Sequence, residues 1–263
     1  MKKTLLSLAL LSALVYAGDY TNSIGMKFKD ISSGSFMMGT QPPGTENCPQ
    51  DNPFTSPNEY TDCANTKKGD APISSETPAH KVSLKSFYMA ETEVTQGQWY
   101  TIMGNNPAEF KTGNPDMPVE QVSWEDARTF VDRLNAKENT NKYRLPTEEE
   151  WEYAARAGTN TKWYCGNDES CVNSIAVSDT NTSKPVKSRK QNAFGLYDMS
   201  GNVWEWTDSC YTETYNKECY KNTKVYRGGS WFYVEGNGRS ALREYNTPDF
   251  RSMNIGFRLI RNK

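Results

Sequence analysis

Six cysteines and one histidine carry most of the reactive chemistry open to this chain of 263 residues. The cysteines fall into three locally spaced pairs: Cys48 with Cys63, Cys165 with Cys171, and Cys210 with Cys219. Each pair lies among Asn, Asp, Glu, Gly, Thr and Pro, the composition of surface loops. No CxxC occurs and no histidine lies near any pair. Zinc and dithiol redox sites, which need clustered ligands, therefore fit less well than three loop disulfides, 48–63, 165–171 and 210–219. The lone His80 excludes sites built on two or three histidines and leaves one candidate for a His-dependent triad. Its place between Ala79 and Lys81, at the start of a strand-like run, reads as structural or surface.

A second group of candidates is the run Asp198-Met199-Ser200-Gly201-Asn202-Val203-Trp204-Glu205. Asp198 and Glu205 supply carboxylates. Gly201-Asn202 readily turns, which can aim the carbonyls of Gly201 and Val203 inward. A hard cation such as Ca2+ takes roughly six to eight oxygens of this kind. The competing reading is that Asp198 caps a turn and Glu205 pairs with an arginine.

Such loops need a frame, and the sequence signals only a sparse one. Three helices are expected. Thr95 to Met103 ends at Gly104. Ser123 to Ala136 opens on a capping box with Asp126 in the place usual for Glu, and Ala127, Phe130, Val131 and Leu134 share one face. Thr147 to Ala157 has Thr147 as N-cap and Glu150 three residues on, with Trp151, Ala154 and Ala155 facing inward and Gly158 as the stop. Arg144 and Arg156 are placed to pair with carboxylates. Strand-like runs are brief: Lys81 to Ala90, Val225 to Tyr233, and Gly256 to Arg261. With 12% aromatic residues, large rings must tie irregular chain together.

Residues 1–17 read as a secretory signal: Lys2 and Lys3, an apolar run from Leu5 to Leu14, and small residues around Val15-Tyr16-Ala17. Export to a periplasmic or secreted location suits disulfides. The remainder, 18–263, shows no interdomain linker and reads as one domain, with a polar loop insertion at about 41–77 that contains Cys48 and Cys63. A mean hydropathy of -0.81 with 36% hydrophobic residues excludes a polytopic membrane protein, and no span is expected once the signal is removed. A net charge of -2 offers no basic field for nucleic acid.

Several blocks occur in a fixed order: Phe36-Met37-Met38-Gly39, Pro78-Ala79-His80-Lys81-Val82, Glu93-Val94-Thr95 with Gln98-Trp99, Val122-Ser123-Trp124-Glu125-Asp126-Ala127, the run YRLPTEEEWEYAAR from Tyr143 to Arg156, the run NAFGLYDMSGNVWEW from Asn192 to Trp206, Arg227-Gly228-Gly229-Ser230-Trp231, and Asn254-Ile255-Gly256-Phe257-Arg258. Together they resemble the formylglycine-generating enzyme, or sulfatase-modifying factor, domain family from about Ile24 to Ile260. The resemblance implies an α+β fold of C-type-lectin-related topology with little regular structure. It implies structural Ca2+ at Asp198, Gly201, Val203 and Glu205. It also implies a cleft lined by Ser230, Trp204 and Asn254, with Tyr233 close by and Arg243 and Arg258 near it.

The same resemblance exposes a departure. The family reaction uses two cysteines after the RGGS(W/Y) block, which bind copper(I) and oxidise a substrate cysteine; soft thiolates suit that ion. Tyr233 and Gly238 stand at those positions, and no cysteine follows Cys219. Copper is therefore not expected. Neither is the thiol-histidine sulfoxide chemistry of another branch, which uses three histidines. Two functions stay open: an envelope binding or accessory protein whose cleft takes a protein, peptide or glycan, and a cysteine-pair-independent periplasmic oxidoreductase like the siderophore-maturation branch. A formylglycine-generating oxidase acting on sulfatases is the least favoured.

Overall fold

The computed structural model describes residues 18–40, 74–215, 218–220, 222–232 and 238–263. The signal segment, most of the insertion, the Cys48–Cys63 pair and Tyr233 lie outside these residues.

Capping chemistry sets the three main helices. Helix α1, Gln96–Met103, is capped by Thr95, whose hydroxyl accepts from Gln98 N while the Gln98 side chain accepts from Thr95 N; it stops at Gly104, which adopts a left-handed φ of 77°. Helix α2, Trp124–Lys137, has the same reciprocal box between Ser123 and Asp126. Its predicted apolar face, Ala127, Phe130, Val131 and Leu134, is buried. Helix α3, Glu148–Arg156, is boxed by Thr147 and Glu150. Here the structure goes beyond the expected inner face of Trp151, Ala154 and Ala155. Glu148, Glu150, Glu152 and Arg156 are buried as well, because each has an ionic partner: Arg243 with Glu148, Arg144 with Glu150, and Arg227 and Arg156 with Glu152. Buried charge is tolerated only when paired in this way.

The strands are short. Tyr20–Thr21 (β1), Lys27–Ile31 (β2), Phe87–Ala90 (β5), Ile260–Arg261 (β11) and Tyr143–Arg144 (β6) form a sheet in the order β1-β2-β5-β11-β6. Gly34–Met38 (β3) pairs with His80–Leu84 (β4). A four-stranded sheet has the order β10-β7-β8-β9, from Ile255–Gly256 (β10), Trp204–Trp206 (β7), Lys224–Arg227 (β8) and Arg243–Asn246 (β9). Only its β10–β7 pairing is parallel.

Three expected strands are thereby corrected. The run Lys81 to Ala90 is two strands in different sheets. Gly256 to Arg261 likewise contributes to two sheets. Val225 to Tyr233 ends at Arg227, because Gly228 and Gly229 take φ values of 99° and 77° that a strand cannot hold. A short helix, Val172–Ile175 (α4), follows a 3-10 turn at Glu169–Cys171. The main core is aromatic, as the composition requires. Trp99 stacks on Phe130 at 5.6 Å, and Phe257 meets both rings edge-on. Among the described residues no helix is long and apolar enough to cross a membrane.

Candidate functional site

The segment from Asp198 to Glu205 is buried throughout, and its backbone explains its sequence. Asp198 and Asn202 take left-handed φ values of 59° and 62°, a region that Asp and Asn tolerate better than most residues. Gly201 has φ 93°, and a Cβ there would stand 2.4 Å from the Val177 carbonyl oxygen. No other residue fits at that position without displacing backbone. The Gly228 carbonyl accepts from Gly201 N at 2.7 Å, and the Asn202 carbonyl accepts from Trp231 N at 2.9 Å. These two bonds join the loop to the Arg227–Trp231 passage.

Three acids influence one another electrostatically here. Glu93, Asp198 and Glu205 are all buried, with Arg258 among them. Arg258 makes a two-pronged contact with Glu205: Nε donates to Oε2 and Nη2 to Oε1, both at 2.6 Å. Trp151 Nε1 donates to the same Oε2 at 2.7 Å. Asp198 Oδ2 accepts from Lys187 N at 2.8 Å, and Glu93 Oε1 accepts from Asn202 Nδ2 at 3.1 Å. Burial pushes the Glu93 carboxyl well above its ordinary range, and the Asp198 and Glu205 charges add to the push. Burial raises Asp198 to about 6, against the opposing pull of the Lys187 amide and Arg258.

The residues expected to hold Ca2+ thus separate into two groups. Asp198 Oδ1 is buried with no hydrogen-bond partner, and so is Glu93 Oε2. Orphaned carboxylate oxygens of this kind fit a hard cation. Glu205 does not offer the same freedom, since both of its oxygens serve Arg258. The competing expectation, that Glu205 pairs with an arginine, describes what it does here. Among the described residues no three His, Cys, Asp or Glu side chains converge as a ready-made metal shell. Glu93 belongs to the cluster and was not singled out as a site residue. The sequence signal available for it was its place in the Glu93-Val94-Thr95 block, directly before the helix cap.

The expected cleft residues also part company. Asn254 Nδ2 donates to Ser230 Oγ at 3.2 Å, and Asn254 Oδ1 accepts from Ser252 Oγ at 2.6 Å. Ser230 and Asn254 therefore form one polar relay beneath the surface. Trp204 is 3% exposed and packs in the main hydrophobic cluster, edge-on to Tyr226 at 5.3 Å. Its backbone N–H still touches the site through the Asn254 carbonyl at 2.8 Å. Two apolar side chains are exposed beside the relay. Phe232 is 59% and Met253 40% exposed, and both adjoin Trp231, whose indole N–H donates to the Met253 carbonyl at 3.4 Å. Arg243 and Arg258, placed near the cleft by the resemblance, are both spent in buried ion pairs.

Position 238, where the family's second cysteine belongs, is closely fitted to glycine: a Cβ there would meet Ser200 Cβ at 3.2 Å. Cys165 pairs with Cys171 and Cys210 with Cys219, as the spacing predicts, and no free cysteine occurs among the described residues.

This mixed fold, with a glycine-threaded loop locked against an Arg-Gly-Gly-Ser passage, defines the class. Residues 30–263 match the model of the Sulfatase-modifying factor enzyme 1-like domain, and the chain belongs to that family. It is 30% identical to the formylglycine-generating enzyme of Streptomyces coelicolor over 71% of this chain and 82% of that protein. It is 31% identical to chaperone protein LppX of Paenibacillus barcinonensis over 57% of this chain and 71% of that one. It is 37% identical to the bovine inactive C-alpha-formylglycine-generating enzyme 2, over 54% of this chain and half of that protein. Among solved structures, Treponema denticola variable protein 1 superposes with a TM-score of 0.75 at 26% identity, covering 93% of this chain and 99% of its own. PvdO from Pseudomonas aeruginosa gives 0.71 at 26% identity, covering 93% and 98%.

Proposed function

We propose that the protein is an exported member of this family without formylglycine-generating activity, acting as an envelope binding or accessory protein through the surface over Ser230 and Asn254. One observation carries the reading: Tyr233 and Gly238 occupy the thiol positions, and no cysteine follows Cys219 anywhere in the chain. Cu(I) requires soft ligands, and neither residue supplies one. Relatives named as an inactive enzyme and as a chaperone support a binding role for this fold. The two loop disulfides and the secretory pattern of residues 1–17 support a periplasmic or secreted location. The exposed Phe232 and Met253 favour a peptide or protein ligand over a free glycan at this particular surface, since apolar anchors dominate protein recognition.

Structural Ca2+ belongs to the same proposal. Asp198 would hold it through its unpartnered Oδ1, with the carbonyls of Gly201 and Val203; Glu205 would join only by sharing an oxygen with Arg258. Such an ion would neutralise buried negative charge and fix the loop.

Crosslinking in envelope extracts tests the binding role. A partner captured by the wild type should be lost in Phe232→Asp and retained in Tyr233→Phe. A second reading, carried by the resemblance to the siderophore-maturation branch, is a periplasmic oxidoreductase that works without the cysteine pair. Oxygen uptake by the wild type that disappears in Tyr233→Phe would support that reading instead.

A further inference from the structure

The chain is slightly acidic, yet residues 180–197 contain Lys184, Lys187, Arg189 and Lys190 and not one acid. Lys187 is neutralised by Glu91. Arg189 and Lys190 are not: among the described residues no carboxylate lies within ion-pair distance of either. Both line an open groove together with Ser174, Ser188, Gln191 and Tyr197. Its lining shares no residue with the cleft around Ser230 and Asn254.

The groove is held in shape before any ligand arrives. Lys190 N donates to the Ser174 carbonyl at 3.0 Å, and Tyr164 donates its hydroxyl to the Lys190 carbonyl at 2.7 Å. Arg189 Nε donates to the Ala176 carbonyl at 2.9 Å and Nη1 to the Ser188 carbonyl at 3.3 Å. Its other terminal nitrogen has no protein partner among the described residues. The opposite wall is α4, which starts directly after the Cys165–Cys171 disulfide. A guanidinium tethered by two of its nitrogens keeps the remaining donors aimed in a fixed direction, which lowers the entropy cost of binding an oxyanion.

From this arrangement we infer a second binding site, for an acidic saccharide. Arg189 and Lys190 take the carboxylate or phosphate of the sugar, through charge-assisted hydrogen bonds. The hydroxyls of Ser174 and Ser188 and the Gln191 amide match ring hydroxyls, which need partners of both donor and acceptor type. The half-buried Tyr197 adds an aromatic contact at the groove wall, with Lys187 Nζ over its ring at 5.4 Å. A neutral sugar would leave two cations unmatched, and a bare anion would leave the hydroxyl, amide and ring contacts unused.

Titration calorimetry on the purified protein at low salt tests this, with tetragalacturonate, the neutral maltotetraose and inorganic phosphate as probes. The acidic tetrasaccharide should bind, more tightly than phosphate, and maltotetraose should not. Lys190→Gln, which alters an exposed side chain with no partner, should weaken binding about five-fold, and Arg189→Gln at least as much. Lys137→Gln, the same charge change at the end of α2, should leave affinity unchanged. Raising the salt should weaken binding. Equal binding of both tetrasaccharides, phosphate binding as tightly as the uronide, equal losses in Lys190→Gln and Lys137→Gln, or no binding of any probe would each overturn the inference.

Discussion

Glu205 and Arg258 show how a residue-scale role is decided by partners. A carboxylate at this position reads first as a cation ligand, with an ion pair as the competing reading, and only the fold brings Arg258 to it across 53 positions of sequence. Removing one member of a buried pair leaves an uncompensated charge and costs about 3–5 kcal/mol. Arg258→Met should therefore lower the unfolding free energy by that order, read from a denaturant titration. Gly201 has a different constraint. Gly201→Ala places a Cβ 2.4 Å from the Val177 carbonyl oxygen on a left-handed backbone, and the strain should cost more than about 1 kcal/mol, read in the same titration. Asp198 gives a pH signature. Its folded carboxyl titrates at about 6, above its ordinary value of 3.8, so the folded state holds a proton that the unfolded chain has released. Its penalty on stability is fully present above pH 6 and is relieved as pH falls from 6 towards 4. Without calcium, the melting temperature of the wild type relative to Asp198→Asn should rise over that interval. If calcium binds here, EDTA lowers the wild-type melting temperature at neutral pH; an unchanged value removes the ion from the account.

At the scale of elements, the helices were legible and most strands were not. Ser123 with Asp126 and Thr147 with Glu150 are local signals, each complete within four residues, and the structure realises both. Thr147→Ala should cost about 1 kcal/mol in thermal unfolding, because the Glu150 amide loses its acceptor. The strand Trp204–Trp206 carries no comparable signal. All three of its residues are buried, so the period-2 alternation that marks a strand is absent. Trp204 was placed in the cleft by resemblance, and motif position alone did not reveal its packing against Tyr226. Arg144 and Arg156 were legible as carboxylate partners because Glu150 and Glu152 lie only six and four positions from them. Glu93 was not, since its charged neighbours come from more than 100 residues away.

For the whole molecule, the family was readable from blocks that each meet a local packing demand: the boxed helix α3, the glycine-threaded loop and the Gly228-Gly229 passage against Trp151. Its chemistry depends on two side chains, and scaffold and reaction can therefore separate. The fold supplies the polar relay from Ser252 through Asn254 to Ser230, with Phe232 and Met253 exposed beside it, whereas no cysteine follows Cys219 in the sequence. The most direct test of that separation uses purified protein incubated with copper, reductant and a sulfatase-type CxPxR peptide, with the peptide mass followed and aldehyde trapped by a hydrazide. The peptide cysteine should stay intact and no trapped product should form, with the Streptomyces coelicolor relative as positive control. Loss of the cysteine mass together with a hydrazone adduct would contradict the account.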